Sequence, residues 1–276
     1  MNRGARCRFR TFTVKEGLFS YWPVALQADP IQMHQHDSVV PYSGSPDAKK
    51  NQVSRMFNNI AASYDLLNRL LSFGIDIWWR KRAIKILAAS SPKIILDVAT
   101  GTADLALEAV SLRPEKITGI DISEGMLEKG REKIRKKNLE KTIELHCADS
   151  ENLPFEDHSF DAVMVSFGVR NFENLDRGLA EIYRVIRPGG MLMVLEFSKP
   201  ANPAVRFFYN LYNRSILPAA GRLLSGDSSA YSYLPESVKA FPEGRDFLEI
   251  LTKQQFQQTK ALPLTFGIST IYTGLK

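Results

Sequence analysis

The chain predicts an α/β fold, a mostly parallel sheet with helices on both faces, preceded by a helical lead-in and carrying an inserted helical cap. Three observations predict it. From residue 93 onward, short apolar runs alternate with helical segments at the spacing of strand–helix–strand units. The 276 residues are 44% hydrophobic and 24% charged, which suits one large domain and excludes disorder and collagen-like or repeat fibres. No apolar run approaches the roughly 18–20 residues that a membrane-spanning helix needs, so any membrane contact is through a surface.

The elements follow in order. From Asn51 to about Ala89, Val53, Phe57, Ile60, Leu67, Leu70 and Leu71 recur at helical spacing, the pattern breaks at SFGID, and it resumes through Trp78, Trp79, Ile84 and Leu87. This predicts two or three helices. KIILDV (93–98) reads as a first buried strand, followed by a glycine-containing turn and a helix from Asp104. KITGID (116–121) is a second strand; Ser123 caps a charged helix through Lys136, and TIELHCAD (142–149) is a third strand. FDAVMVSF (160–167) is a fourth, a helix from Leu175 to Ile186 stops at RPGG, and MLMVLEF (191–197) is a fifth. Residues 201–240 break the alternation and are dense in aromatics, which reads as a cap. A helix (244–253) and two closing antiparallel runs, QFQQTKAL and FGISTIYTGL, end the domain.

Residues 1–50 read as an extension to a single domain over 51–276. Residues 1–32 carry five basic side chains against Glu16 and Asp29, a net +3 out of the chain's +6. An Arg-rich, acid-poor start fits either an organellar targeting peptide or an upstream frame ahead of a true start at Met33. SVVPYSGSPDAKK (38–50) is rich in turn formers and reads as a flexible lead-in. Cys7 and Cys147 supply neither a disulfide framework nor a zinc ligand set, so no metal is expected and a reducing, cytoplasmic compartment is.

In a doubly wound sheet, ligands bind beyond the carboxyl ends of the strands. Gly101 lies in the first such turn, where a missing side chain lets backbone N–H groups approach a ligand. Asp121 closes the second strand, placed to accept from both hydroxyls of a ribose. Taken singly, Gly101 reads equally well as a tight turn and Asp121 as a solvated strand end. With Ala99 and Ala103 at the alternating positions, the turn lacks the full G-x-G-x-x-G pattern and provides poorly for a pyrophosphate.

The succession LDVATGTADL, GIDISEGML, ADSENLPFEDHSFD and IYRVIRPGGMLMVLEF resembles the class I S-adenosylmethionine-dependent methyltransferases. More narrowly, FNNIAASYDLLNRLLSFGID, SFGVRN, LEFSKP and YSYLPESVKAFP resemble the quinone-ring C-methyltransferases that act late in menaquinone and ubiquinone biosynthesis, from about Gln52 to Thr273. The resemblance implies the class I methyltransferase fold with a mostly parallel seven-stranded sheet and S-adenosylmethionine as cofactor. It matches Thr102, Asp121, Asp149, Ser150 and Ser166 to cofactor contacts. Asp121 would hold the ribose, Asp149 and Ser150 the adenine, Thr102 and Gly101 the methionine part, with Ser166 beneath it and Asp97 balancing the ammonium. Capping is the alternative use of Asp97 and Asp149.

The implied reaction is methylation of demethylmenaquinol, with the ubiquinone precursor, another prenylated ring or a sterol as alternative substrates. An attacking ring carbon needs a quinol that has lost, or nearly lost, a phenolic proton, so the protein must stabilise an oxyanion. Arg170 and Asn171, beyond the fourth strand, are the candidates, with a loop ion pair as the competing use of Arg170. His146 and His158 read as structural. Tyr64 in the lead-in, with Asp65, and Phe208 and Tyr212 in the cap are expected to line the substrate pocket, although plain core packing is the commoner use of such aromatic spacing. Because a prenyl tail partitions into membrane, the entrance should be apolar, supplied by Phe207, Phe208, Tyr209, Leu211, Tyr212, Ile216 and Leu217, with Arg206, Arg214 and Arg222 meeting headgroups at the inner face. An RNA or protein methyltransferase would show a strongly basic face, and a nonenzymatic relative a decayed cofactor turn. No nucleic-acid partner is expected, and a homodimer is left open.

Overall fold

The computed structural model describes residues 34–212, 215, 227 and 229–276. Its framework is a seven-stranded sheet built from β1 (Ile94–Val98), β2 (Lys116–Asp121), β3 (Ile143–Cys147), β4 (Phe160–Ser166), β5 (Ile186–Phe197), β6 (Gln257–Leu264) and β7 (Ser269–Leu275). The spatial order is β3-β2-β1-β4-β5-β7-β6. The first five strands run parallel, and β7 lies antiparallel between β5 and β6. The expected alternation and the antiparallel close are both present. One boundary differs: the helix before RPGG ends at Val185, and Ile186 already pairs with Phe160 before an irregularity lets Met191 meet Ala162.

Successive strand side chains enter opposite cores, which is why these strands read as unbroken apolar runs. Leu96, Val98, Val163, Val165, Leu192 and Val194 pack with α6 (Leu175–Val185) and with Phe247, Ile250 and Leu251 of α9 (Arg245–Lys253). Ile95, Ile117, Ala162, Met164, Met193 and Leu195 face α3 (Ile75–Leu87), α4 (Asp104–Ala109) and α5 (Glu124–Lys136).

The lead-in is three helices, α1 (Lys49–Ile60), α2 (Tyr64–Leu71) and α3. The break at SFGID is a left-handed corner, with φ of 51° at Phe73 and 75° at Gly74. A third, smaller core joins Val53, Met56, Ile60 and Leu67 of the lead-in to Ala230 and Tyr233 of cap helix α8 (Ser229–Ala240). The other described cap helix, α7 (Pro203–Leu211), begins on an Asn202 cap with Pro203 in its first turn.

The expected boundary at Asn51 falls too late. His36 is fully buried, Asp37 and Lys49 nearly so. Lys49 Nζ donates to the carbonyls of His36 at 2.7 Å and Arg170 at 3.5 Å. The turn formers of 38–50 make a fixed turn, with Ser45 N–H donating to Tyr42 O at 3.1 Å, and not a flexible tether. The basic start and Met33 lie outside the described residues, as do Arg214, Ile216, Leu217 and Arg222 of the expected entrance. Among the described residues no helix is long and apolar enough to cross a membrane.

Candidate functional site

Parallel pairing brings the carboxyl ends of β1, β2 and β4 to one edge, with Val98 level with Ile120 and Val165. Two compartments open there. A narrow cleft of about 60 Å³ is lined by Asp121, Asp149, Ser150 and Asn171. A cavity of about 750 Å³ is lined by Asp97, Thr102, Arg170, Phe208 and Tyr212. Tyr64, Gly101, Ser166 and Phe167 line both, so they form the wall between them. The residues expected to contact the cofactor, with Arg170, Tyr64, Phe208 and Tyr212, therefore line these two compartments, with one difference in place: Asn171 faces the cleft, not the larger cavity. Its amide oxygen accepts from the Tyr233 hydroxyl at 3.1 Å, and its amide nitrogen donates to Phe167 O at 3.4 Å.

The cleft is built around Asp121, which accepts from the N–H groups of Gly101 at 2.9 Å and Ser123 at 2.8 Å. Burial pushes its carboxyl up to about 6 despite these bonds. The turn between β1 and α4 holds Ala99, Gly101 and Ala103 at φ of 55°, 56° and 65°, so two alanines take a left-handed conformation. The Ala99 methyl fills the space beside Gly168, where an added Cβ would lie 2.6 Å from it. Asp149 accepts from Glu151 N–H at 2.9 Å and from Lys50 Nζ at 3.0 Å. No sequence signal marked Lys50, because only the path of α1 across the strand ends brings it there.

Three buried polar atoms of residues lining this region have no hydrogen-bond partner among the described residues, Asp97 Oδ1, Ser166 Oγ and Arg170 Nε. Asp97 is 1% exposed; Thr100 Oγ1 donates to its Oδ2 at 2.6 Å, and burial pushes its carboxyl up to about 7. Thr102 is more occupied than expected. Its hydroxyl meets Asp65 at 2.6 Å and accepts from Lys133 Nζ at 2.9 Å, tying α2 and α5 to the turn.

Arg170, 6% exposed, donates from Nη1 to Glu196 Oε1 at 2.8 Å and to Phe167 O at 2.5 Å, while its Nε has no partner among the described residues. The expected alternative of an ion pair is thus present, with a carboxylate at the end of β5 in place of a loop one. Glu196 was legible in principle, since a carboxylate inside the apolar run MLMVLEF needs a cation when buried. Trp79, Phe167 and Phe197 form an aromatic floor to the larger cavity, with the Phe rings stacked at 4.4 Å and Trp79 at 6.1 Å from each. His158 sits in a turn against Ile186 O at 3.1 Å, away from both compartments. Arg206 is spent on the carbonyls of Pro200 and Ala201, at 2.9 and 3.1 Å.

This arrangement can hold a nucleoside against Asp121 and a flat apolar ring across the shared wall. The comparisons with known proteins agree with that geometry. Residues 45–276 match the model of the ubiE/COQ5 methyltransferase family. The chain is 46% identical over 245 residues to the demethylmenaquinone methyltransferase of Bacteroides fragilis, covering 88% of this chain and 99% of that one. It is 43% identical over 230 residues to the ubiquinone/menaquinone biosynthesis C-methyltransferase UbiE of Geotalea daltonii, covering 83% and 97%. A putative S-adenosyl-L-methionine-dependent methyltransferase structure from Methanococcus maripaludis shares the fold, with a TM-score of 0.58 at 17% identity over 78% of this chain and 91% of that one. With the match running from the end of the N-terminal turn through the last strand, the chain belongs to the ubiE/COQ5 methyltransferase family.

Proposed function

We propose that this protein transfers a methyl group from S-adenosylmethionine to the ring carbon of demethylmenaquinol, forming menaquinol. The observation that carries the reading is the pairing of a small cleft holding Asp121, Asp149 and Ser150 with a 750 Å³ cavity floored by aromatic rings, the two sharing Tyr64, Gly101, Ser166 and Phe167 in their walls. The residues present fit the cofactor. Asp97 Oδ1 and Ser166 Oγ are buried polar atoms without partners, which an ammonium group and a polar edge would satisfy. When bound, the cofactor supplies an electrophilic methyl on a sulfonium.

Asp121 would accept from the ribose hydroxyls, and Asp149 with Ser150 would take the adenine edge. Arg170, anchored through Nη1 by Glu196, keeps its Nε for the ring oxygen whose negative charge grows as the carbon attacks. Tyr64, raised above the ordinary phenol range by burial, keeps its hydroxyl proton at the wall between the two compartments. The aromatic floor orients the ring and excludes water.

The prenyl tail leaves through a rim where Phe73 is 86%, Phe208 67%, Phe207 66% and Leu66 60% exposed. Single exposed apolar residues need no explanation, but Phe73 and Phe208 of this group also line the cavity. We infer that this rim touches the inner face of the membrane transiently while the enzyme works from the cytoplasm. Purified protein incubated with S-adenosylmethionine and lipid-dispersed demethylmenaquinol is expected to yield menaquinol by mass spectrometry. Methylation of the ubiquinone precursor alone, or of neither ring, would overturn the assignment.

A further inference from the structure

The amino-acid end of the cofactor carries a carboxylate as well as an ammonium group, and the roles given so far leave the carboxylate without a receptor. Among the described residues two guanidinium groups line the larger cavity, Arg170 and Arg80. Arg170 belongs to the aromatic end, packed over Phe197 with its centre 5.4 Å from the ring. Arg80, on α3, instead meets Asp104 at the start of α4, beside the β1–α4 turn that carries Thr102. Of the three consecutive cations on α3, Lys81 and Arg82 are exposed, and Arg80 is 9% exposed.

Its anchoring is one-sided. Nη2 meets Asp76 Oδ2 at 2.5 Å and Asp104 Oδ2 at 3.3 Å, and no hydrogen bond among the described residues uses its Nε or Nη1. Asp76 is itself fixed by the Ser72 hydroxyl at 2.6 Å, and Asp104 is shared with Lys133 at 2.6 Å, so neither aspartate is left to Arg80 alone. A planar fork held at one nitrogen keeps its remaining donors aligned, which is the arrangement that suits a carboxylate. The charges acting on Tyr64, whose hydroxyl is raised chiefly by burial, include Arg170, Arg80 and Asp121. Arg80 is thus close to the wall at which the two compartments meet.

We propose that Arg80 is the receptor for the α-carboxylate of the cofactor, completing with Asp97 a site for the zwitterionic amino-acid end. The proposal rests on S-adenosylmethionine being the cofactor, and it assigns Arg80 to binding, not to the methyl transfer. It distinguishes two guanidiniums that the cavity alone would leave interchangeable: one for the cofactor, one for the ring.

The test is calorimetric binding of S-adenosylhomocysteine, its decarboxylated analogue and 5′-methylthioadenosine to the wild-type chain, Arg80→Met and Arg80→Lys. In the wild type, S-adenosylhomocysteine should bind more tightly than the decarboxylated analogue. In Arg80→Met its affinity should fall on the order of 10- to 100-fold to meet that of the analogue, while methylthioadenosine binds as before. Arg80→Lys, which keeps a cation for Asp76 and Asp104 and so guards against misfolding, should retain only part of the preference. A preference that survives in full in the variants, or an equal loss for all three ligands, would overturn the proposal. Failure of the wild type to bind any of the three would strike the cofactor assignment, a separate result.

Discussion

The edge of the sheet and the helical roof above it are built by different means, and on the proposed function each would hold one of the two ligands. At the edge, the polar groups stand on β1, β2 and β4, whose Val98, Ile120 and Val165 are at most 1% exposed. The roof is drawn from α1, α2, α7 and α8; a separate, smaller core joins α1, α2 and α8, and α7 has no buried residue. A group fixed by the main cores opens only at close to the global unfolding free energy, whereas a small satellite cluster opens more readily. On the proposed function, the nucleoside contacts would stand on the part held by the main cores, and the lipid would enter through the part held by the smaller one.

Arg170, at the junction of the two regions, should give the largest effect. Arg170→Ala is expected to lower turnover by about 10² or more with little change in cofactor affinity, and Arg170→Lys to keep partial activity. Because Arg170→Ala strands Glu196, whose carboxyl burial already raises, a stability loss of about 3–5 kcal/mol is expected by denaturant titration. Pairing it with Glu196→Gln should restore the stability and not the turnover. Near-native turnover in the double variant would make Arg170 an ion-pair residue only.

Asp121→Ala tests the edge itself. Loss of a carboxylate that accepts two backbone bonds and would meet two hydroxyls should cost about 1.5–3 kcal/mol of cofactor binding by calorimetry. Unchanged affinity would remove Asp121 from the site.

Asp97 couples the edge to pH. Its folded carboxyl is pushed up to about 7 from 3.8, so the native state holds the extra proton between these values. Folding stability from this group therefore falls as pH rises from about 4 to about 7 and stays lost above that range. Asp97→Asn should accordingly raise apo-protein stability at pH 8 by about 1–3 kcal/mol, yet weaken binding of a cationic amino-acid end. In the wild type, cofactor affinity should increase between about pH 6 and pH 8 as Asp97 ionises. A melting temperature at pH 8 that drops in Asp97→Asn contradicts the assignment.

The smallest of these effects belongs to the roof. Replacing Phe73 and Phe208 by serine should raise KM for vesicle-borne substrate several-fold, leaving cofactor affinity and turnover of a short-tailed soluble analogue near native. An equal loss of cofactor binding would erase the division between the two regions.

The sequence revealed these regions unequally. The edge lies within one stretch, and its residues follow strands whose apolar runs announce them: Asp97, Asp121 and Ser166 each sit at or beside a strand end. The roof meets the edge across 99 residues of sequence in Lys50 over Asp149 and across 62 in Tyr233 on Asn171, so neither pair has a local pattern to betray it. Arg80 was in plain view four residues after Asp76, the spacing of a helical ion pair. Three adjacent cations hid which one the fold buries. The turn-rich 38–50 segment misled because turn formers specify a corner as readily as a tether.

The contact of Ala99 with Gly168 has a consequence for how such a chain can diverge. Between the two positions there is room for one methyl group, held at present by Ala99 in a left-handed conformation. Gly168, at φ of −112°, would accept alanine without backbone strain if the space were open. Gly168→Ala alone should overpack the wall at a cost of about 1–3 kcal/mol, while the exchange Ala99→Gly with Gly168→Ala should relieve the larger part of that cost and leave only the 3.1 Å approach to Val165 Cγ1. The two sites are thus epistatic. A lineage can move the methyl from one turn to the other only by passing through the glycine pair, because the alanine pair is sterically closed.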